Sequence, residues 1–189
     1  SYSKIRSIIG LLQSVFSYMT KTGHHKKRLG EIAPEVVEID SLFSTYYEEK
    51  VLNTLLNVCT LAFNADSGSV MVVDGNTGNL RVKVASRLGE GVINRSRVRM
   101  GEGIAGFAAA TAEPIILPDD SAKSGLSRKM KRKYIRSSMI VPFNKVNRPD
   151  VYGVINLNVV RKKKSFSRKD IAFAKELTSL ASVALLPAK

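Results

Sequence analysis

The sequence predicts an α+β domain in which an antiparallel sheet is covered on one side by helices. Apolar residues recur at helical spacing near both ends of the chain, and between them the period falls to two, as in strands. The resulting order of helix, hairpin, irregular middle, hairpin and helix favours antiparallel pairing over a parallel, doubly wound sheet. We divide the 189 residues into an N-terminal helix and linker over 1–36 and a globular domain over 37–189.

The first predicted element is a helix over residues 3–21. Its apolar residues follow one another at steps of four and three, the seam of a short coiled coil, which we expect to pack on the domain or on a second copy of itself. From Lys21 to Pro34 this periodicity is lost, so we predict a linker or a mobile loop there. The seam consists of Ile5, Ile9, Leu12, Phe16 and Met19.

A second helix is predicted from about Asp40 to Phe63, with Asp40 or Ser41 as its N-cap. Its apolar stripe includes Cys59, the only cysteine in the sequence, which we interpret as a packing residue rather than a reactive one. A hairpin follows, with strands over 69–74 and 80–88 joined by a glycine- and asparagine-rich turn. In its second strand, one face is predicted to carry Leu80, Val82, Val84, Ser86 and Leu88, and the opposite face Arg81, Lys83, Ala85 and Arg87.

The second half of the chain is predicted to contain a short alanine-rich helix, three strands and a closing helix. Ser165 or Ser167 is positioned to cap the closing helix. In order, the elements are a helix over 104–112, a strand at Ile115–Leu117, a basic helix or loop over about 126–135, strands at Ser137–Phe143 and Val151–Val160, and the closing helix, whose apolar face is Ile171, Ala174, Leu177, Leu180, Ala181, Ala184 and Leu185.

The strand predicted at Val151–Val160 has one apolar and one mixed face. Two asparagines within a strand are unfavourable unless they form hydrogen bonds, and either a ligand or an ordered loop would supply the partner. Val151, Ile155, Leu157 and Val159 form the predicted helix-facing side, and Tyr152, Val154, Asn156 and Asn158 the opposite side.

The net charge of +14 is concentrated in one stretch of the chain. Residues 121–169 hold 15 basic groups and one acidic group, whereas residues 1–95 hold 11 basic and 9 acidic groups. Such a stretch attracts phosphates, anionic lipid headgroups or an acidic protein surface, but it is also the composition of a solvated face. The residues predicted to form this surface are Arg128, Lys129, Lys131, Arg132, Lys133, Arg161, Lys162, Lys163 and Lys164.

The segment Gly101–Gly106 matches the dinucleotide-binding spacing G-x-G-x-x-G, with an acidic residue about 20 positions further on. The preceding residues, 94–100, are too charged for a buried first strand, and antiparallel hairpins follow instead of a βαβ unit. We therefore exclude a nicotinamide cofactor. Gly101 and Gly103 are expected to permit a tight turn, and Gly106 a close approach of the helix to the sheet.

Five segments of the chain together carry a family resemblance: Met100–Asp119, Ser69–Asp74, Ser137–Phe143, Tyr152–Leu157 and Phe166–Asp170. They resemble the signature of GAF domains, which are small-molecule sensor and regulatory domains of bacterial signalling proteins. The resemblance covers about residues 40–186 and implies a PAS-like GAF fold, an antiparallel sheet of about six strands with the N- and C-terminal helices on one face and a ligand-pocket cap on the other.

The sequence departs from the ligand-binding branches of that family. The cyclic-nucleotide branch resembles this chain at Asn158, Phe166 and Asp170, but Val159 stands where that branch has lysine and Ile171 where it has glutamate. The methionine sulfoxide reductase branch needs several cysteines, and the bilin branch needs one near the pocket. The two histidines, residues 24 and 25, lie in the predicted linker, away from any haem, metal or triad position. We therefore predict no cofactor, no metal site and no catalytic residues.

The resemblance predicts a non-enzymatic domain that binds a small cytoplasmic ligand, or forms a homodimer through its terminal helices, to control an effector domain elsewhere in the full-length chain. The ligand is expected between the sheet and a cap made by residues 89–135. The candidate ligand-binding residues are Phe107, Asp119, Asn156 and Asn158, with Arg87 and Arg136 as anion partners.

Two alternatives stay open at this point. The basic stretch predicts a module that binds nucleic acid, an anionic membrane or an acidic protein, although Tyr134 is the one aromatic residue in its first cluster and gives a weak stacking platform. The other alternative is a dimerisation scaffold without ligand. We expect a cytoplasmic location, because no apolar run is long enough to cross a bilayer and no signal-peptide pattern opens the chain.

Overall fold

Six antiparallel strands and three helices make up the part of the chain that the computed structural model describes, which is residues 37–89, 97–117, 135–160 and 165–185. The predicted α+β class is confirmed. The elements are α1 (Val37–Ala62), β1 (Ser67–Val73), β2 (Leu80–Ser86), β3 (Arg97–Val98), α2 (Gly103–Thr111), β4 (Ile115–Leu117), β5 (Ser137–Asn144), β6 (Val151–Val159) and α3 (Arg168–Ala184).

The strands form one sheet in the order β3-β2-β1-β6-β5-β4. Its centre is the pair β1 and β6, which are far apart in sequence and run antiparallel with Ser67 opposite Asn158 and Val72 opposite Gly153. Glycine is required at Gly153, because a Cβ there would lie 2.3 Å from the carbonyl oxygen of Met71 on β1. The two central strands therefore approach each other more closely than larger residues would allow.

Helices α1 and α3 cover one face of the sheet, as predicted. Their apolar residues pack with alternate residues of β1, β5 and β6 into the main core, which includes Leu52, Leu56, Cys59 and Leu177. The burial of such side chains is the principal stabilising contribution in a domain of this size. One prediction on this face is wrong: Leu180 is exposed, so the apolar face of α3 is narrower than its sequence indicates.

The ends of the long helices differ in how well the sequence predicted them. α1 begins at Val37, so Asp40 and Ser41 lie inside the helix and the predicted N-cap is wrong. For α3, Ser167 is the cap: its hydroxyl accepts from the backbone N–H of Asp170, whose carboxylate accepts from the backbone N–H of Ser167 at 2.7 Å. This capping box satisfies two N–H groups that a helix start otherwise leaves unpaired.

Helix α2 covers the other face. Ala108 and Ala109 of α2 pack against Ile140 and Val154 in a second apolar cluster. Gly106 is required for close approach, since a Cβ there would lie 2.2 Å from the carbonyl oxygen of Arg99. Its close neighbour is thus the segment after the edge strand β3.

Gly101, before α2, and Gly103, its first residue, permit a tight turn, as predicted. Gly101 and Gly103 have φ angles of +83° and +59°, with open space where a Cβ would be. Backbone conformation, rather than a steric clash, is what favours glycine at these two positions.

Two β-bulges interrupt the alternation of faces. Val70 pairs with Val84 and Met71 with Val82, which leaves Lys83 as an extra residue in β2. The bulge puts Val82 and Val84 on opposite faces, because Val84 belongs to the main core and Val82 packs on the α2 side. The prediction that these two valines share a face is therefore wrong.

The second bulge lies in β6. Phe143 pairs with Gly153 and Asn144 with Val151, so Tyr152 is the extra residue. Tyr152 packs against the main core under the helices, whereas Val151 packs on the α2 side. This reverses the prediction for both residues, because a one-residue insertion exchanges the faces of the positions beyond it. The remaining predictions for this strand are confirmed, with Ile155, Leu157 and Val159 in the helix-facing core.

Candidate functional site

The α2-facing side of the sheet carries a group of neutral polar side chains at one end of its central strands. Ser67, Asn158 and Ser138 lie opposite one another on β1, β6 and β5, and Ser69 lies opposite Asn156 in the next row of the same face. We call these five residues the polar grid. Adjacent strands lie about 4.8 Å apart and residues two apart along a strand about 6.6 Å, so the grid is roughly 10 Å by 7 Å.

The local sequence explains the position of the grid. Met71 and Val154 mark the α2-facing side, and residues two and four positions along the same strands return to that side. Each strand therefore changes from apolar to polar along one face: the apolar half contacts α2, and the polar half extends beyond it. The grid and the second apolar cluster form one continuous surface, a combination typical of small-molecule sites.

Several polar atoms of the grid have no partner among the described residues. Ser138 Oγ donates to Asn158 Oδ1 at 2.8 Å, and Asn156 Nδ2 meets only Met71 Sδ, at 3.8 Å. The hydroxyls of Ser67 and Ser69 form no hydrogen bond in the described part of the chain, although these residues are only 7% and 6% exposed. No described side-chain polar atom is both fully enclosed and unpaired, so the unpaired atoms border accessible space.

Both predicted anion partners lie at the grid's end of the sheet. Arg87 follows β2 directly after Ser86, which pairs with Gly68, and its φ of +55° turns the chain out of the strand. Arg136 precedes β5, and its backbone N–H donates to the carbonyl oxygen of Val159 at 2.9 Å. The structure thus brings the backbones of these exposed arginines to the same end as Asn158.

The other predicted ligand-binding residues are not gathered in this way. Phe107 is 37% exposed on α2, whereas Ala108 and Ala109 of the same helix are buried against the sheet. Asp119 lies outside the described residues. The sequence analysis identified Asn156 and Asn158 but missed the three serines. Each serine lies two or four residues from an apolar residue of the α2-facing side, and this even spacing could have placed it on that face.

The predicted anionic-partner surface also lies outside the described residues, as do the coiled-coil seam and all of the basic helix or loop except Ile135. These remain predictions. The residues concerned in the basic surface are Arg128, Lys129, Lys131, Arg132, Lys133, Arg161, Lys162, Lys163 and Lys164.

The described residues offer little for metal or thiol chemistry. Within the described ranges, no three histidine, cysteine, aspartate or glutamate side chains gather in a group that could hold a metal ion. Cys59 is fully buried in the main core, and burial raises its pKa from the ordinary 9.0 to about 12. A protonated, enclosed thiol is a poor nucleophile and a poor ligand. In the same part of the chain, no helix combines the length and the apolar character needed to cross a bilayer.

Comparison with known proteins decides the family. The family model described as "GAF domain" matches residues 48–186, which is most of the chain. The chain belongs to the GAF family. The comparison with curated protein sequences gave no match.

Solved structures of GAF domains share the fold. The GAF domain region of a membrane protein from Geobacter sulfurreducens superposes with a TM-score of 0.65 at 19% identity, covering 77% of this chain and 97% of that one. The GAF domain of an Acinetobacter phosphoenolpyruvate-protein phosphotransferase gives 0.59 at 17% identity, covering 77% and 92%. An enzyme is also similar: free methionine-R-sulfoxide reductase from Neisseria meningitidis, solved with its substrate, gives 0.60 at 19% identity, covering 75% and 78%.

Together the family match and these structures support a sensory or regulatory GAF domain. The positions where the sequence departs from the cyclic-nucleotide branch have clear packing roles in this GAF domain. Val159 is fully buried in the helix-facing core, and Ile171 packs against that core from α3. Asp170, which a lysine at 159 would have to pair with, belongs to the capping box of α3.

Proposed function

We propose that this GAF domain is a non-enzymatic sensor that binds a small molecule over the polar grid and forms a homodimer through its terminal helices. The observation that carries the ligand proposal is the set of unpaired polar atoms on largely buried residues, which border accessible space on the α2-facing side of the sheet. The three strands that carry the grid pair with one another through their backbones, so these side-chain atoms are available to a bound molecule. A ligand that displaces water from them must supply hydrogen bonds, because a hydroxyl or amide buried without a partner costs about 1–3 kcal/mol.

The chemistry of the grid defines the ligand. Serine hydroxyls and asparagine amides both donate and accept hydrogen bonds, so a ligand with both kinds of group would satisfy them. The adjoining apolar cluster, which includes Ile140 and Val154, favours a ligand with an apolar part. Arg87 and Arg136 at the same end favour an anionic group there, and Asp119 and Phe107 remain predicted contributors from the cap.

Native mass spectrometry of the freshly purified chain tests the ligand proposal. We expect a dimer that carries a discrete extra mass, and we expect that mass to be lost in Asn158→Leu and reduced in Ser69→Ala. Ser179→Ala is the control, because Ser179 is an exposed serine on α3, on the other side of the sheet. A dimer of bare mass, or a bound mass that the grid variants retain, would refute ligand binding at the grid.

The dimer proposal rests on exposed apolar residues of the terminal helices. Phe173, Leu180 and Val183 are spaced seven and three residues apart on α3, so they lie along one side of that helix, and each is at least 38% exposed. Leu61 on α1 adds a fourth, and Phe63, directly after α1, contacts Phe173 edge to face at 5.6 Å. A second copy of the same helices is the occupant we propose, because a two-fold interface pairs such a stripe with itself.

The dimer has its own test. Leu180→Glu places a charge in the proposed interface, and Ser179→Glu places the same charge one residue away on the exposed surface. We expect Leu180→Glu to shift the chain to monomer in multi-angle light scattering and Ser179→Glu to leave the dimer intact. A monomeric wild type, or a dimer unaffected by Leu180→Glu, would contradict the proposal. We further propose a cytoplasmic location and an effector domain elsewhere in the full-length chain.

A further inference from the structure

The two bulge residues of the sheet converge on one carboxylate of α1. Lys83 Nζ lies 3.2 Å from Glu48 Oε2, and the hydroxyl of Tyr152 donates to Glu48 Oε1. The Lys83 and Glu48 side chains are only 12% and 25% exposed. Because a charge that is taken out of water needs compensation, both carboxylate oxygens have found a partner. We call Glu48, Lys83 and Tyr152 the α1 clamp.

Further contacts hold the two sheet partners in place. The ring of Tyr152 meets Phe143 edge to face at 5.7 Å, and Lys145 Nζ lies 4.3 Å from the centre of the same ring. Lys83 Nζ also lies 3.4 Å from Glu49 Oε1 on α1. Counted from Val84 in the main core, regular alternation would direct Lys83 to the α2 side, and counted from Val154 on the α2 side it would direct Tyr152 there as well. The bulges change the register at these two residues, and both side chains lie on the α1 side.

The clamp acts where the described side chains of α1 make few buried apolar contacts. The first fully buried residue in the described part of α1 is Val51, and the deep core contacts continue from there to the end of the helix. Over residues 44–50 no side chain is fully buried, although Tyr47 packs against the edge of the core. Segments with few buried apolar contacts open locally at low free energy. The clamp thus attaches this part of α1 to the sheet through polar contacts.

We propose that the α1 clamp is a latch that couples the N-terminal half of α1 to the polar grid. β6 carries Asn156 and Asn158 on one face and Tyr152 on the other, and β1 lies between β6 and the strand that carries Lys83. A ligand that shifts β6 against β1 changes the distance between the two groups that hold Glu48. The N-terminal half of α1 is then released from the sheet or held more tightly against it. The coupling rests on the proposed function, whereas the latch does not.

Hydrogen exchange read by mass spectrometry on the full 189-residue chain tests the latch directly. Lys83→Met keeps the aliphatic stem and removes the charge, and Tyr152→Phe keeps the ring contacts and removes the hydroxyl. We expect each to speed exchange of the amides at 45–50 about tenfold, as for the loss of a hydrogen bond to a charged group, and to leave the amides at 55–62 unchanged. The matched control is Arg81→Met, which removes the exposed 3.4 Å pair between Arg81 and Asp74 on the same hairpin.

The outcomes separate the latch from simple loss of stability. Unchanged exchange at 45–50 in both variants refutes the latch, and so does acceleration that spreads equally over α1 and α3 or that Arg81→Met reproduces. Lys83 and Tyr152 hold the same carboxylate. We therefore expect the double variant to raise the exchange rate at 45–50 by less than the product of the two single-variant fold increases. A double effect equal to that product would mean independent contacts, not a latch.

The coupling needs one more comparison, between protein as purified and protein unfolded in urea and refolded to remove small molecules. If a bound mass is present, we expect the two samples to differ at 45–50, and Tyr152→Phe to abolish that difference. Equal exchange despite a bound mass refutes the coupling while the latch stands. The absence of any bound mass refutes the proposed function and the coupling with it, again without affecting the latch result.

Discussion

Cys59 offers the sharpest test of whether this GAF domain uses thiol chemistry or a covalently attached ligand. It is the only cysteine in the sequence, and its side chain is fully enclosed in the core beneath α1. Only the thiolate reacts, and burial opposes the thiolate. We expect the native protein at pH 8 to react with Ellman's reagent no faster than it opens, and the protein in 8 M urea to react completely within the mixing time.

The same thiol makes a quantitative prediction for stability. Burial raises the pKa of Cys59 from 9.0 to about 12, so its contribution to stability is fully present below pH 9 and is lost as the pH rises towards 12. At pH 10 the unfolded-state thiol is about ten parts ionised to one part neutral, which lowers the free energy of unfolding by about 1.4 kcal/mol.

Urea denaturation of the wild type and Cys59→Ala between pH 7 and pH 10 isolates this term, because lysines and tyrosines titrate alike in both proteins. The wild type should lose about 1.4 kcal/mol relative to the variant over that interval. A difference between the two proteins that does not change with pH would refute the reasoning. Native-state modification within seconds would refute it as well and would reopen a chemical role for the cysteine.

Three further predictions concern the frame of the site. Gly153→Ala should lower the free energy of unfolding by about 1–3 kcal/mol in urea denaturation, because its Cβ would meet a β1 carbonyl oxygen at 2.3 Å; Gly75→Ala, in open space, should change it little. Ser167→Ala should cost about 1 kcal/mol through loss of the α3 capping box, measured by thermal unfolding. Hydrogen bonds from Thr77 lower the pKa of Asp74 below 3.8, so an NMR titration should place it there. The stabilising contribution of Asp74 is present above its unfolded-state pKa and is lost as the pH falls through the lower folded-state value.

The sequence predicted the helices and strands well because the hydrophobic periodicity agrees with the positions of turn and cap residues over most of the domain. The hairpin turn is an example: Asp74 Oδ1 accepts from the backbone N–H groups of Asn76 and Thr77, at 3.1 and 3.0 Å, which is what aspartate does at turns. The closing helix is another, since Ser167 and Asp170 form the cap that their spacing indicates. The prediction of where α1 begins was wrong because Asp and Ser occur inside helices as well as at N-caps, and the sequence alone does not distinguish the two positions.

The candidate site was only half predictable for a physical reason. Asn156 and Asn158 are conspicuous in an apolar strand, so they attract attention. Serine at 67, 69 and 138 does not, because small hydroxyls are common at strand starts and near turns. What makes these serines part of a site is their register with the asparagines across three strands, and register depends on pairings between segments far apart in the sequence.

The two β-bulges could not be predicted from the sequence either, because they also depend on strand pairing. Lys83 and Tyr152 each have the pattern of ordinary members of an alternating strand, and the sequence predicts Tyr152 on the side of the sheet opposite the long helices. Each bulge residue lies on the α1 side, where both meet Glu48, whose position in the sequence is that of an ordinary helix glutamate. Two bulges, in the two strands that flank β1 and directed at one carboxylate, make the position of α1 depend on how both strands lie against β1.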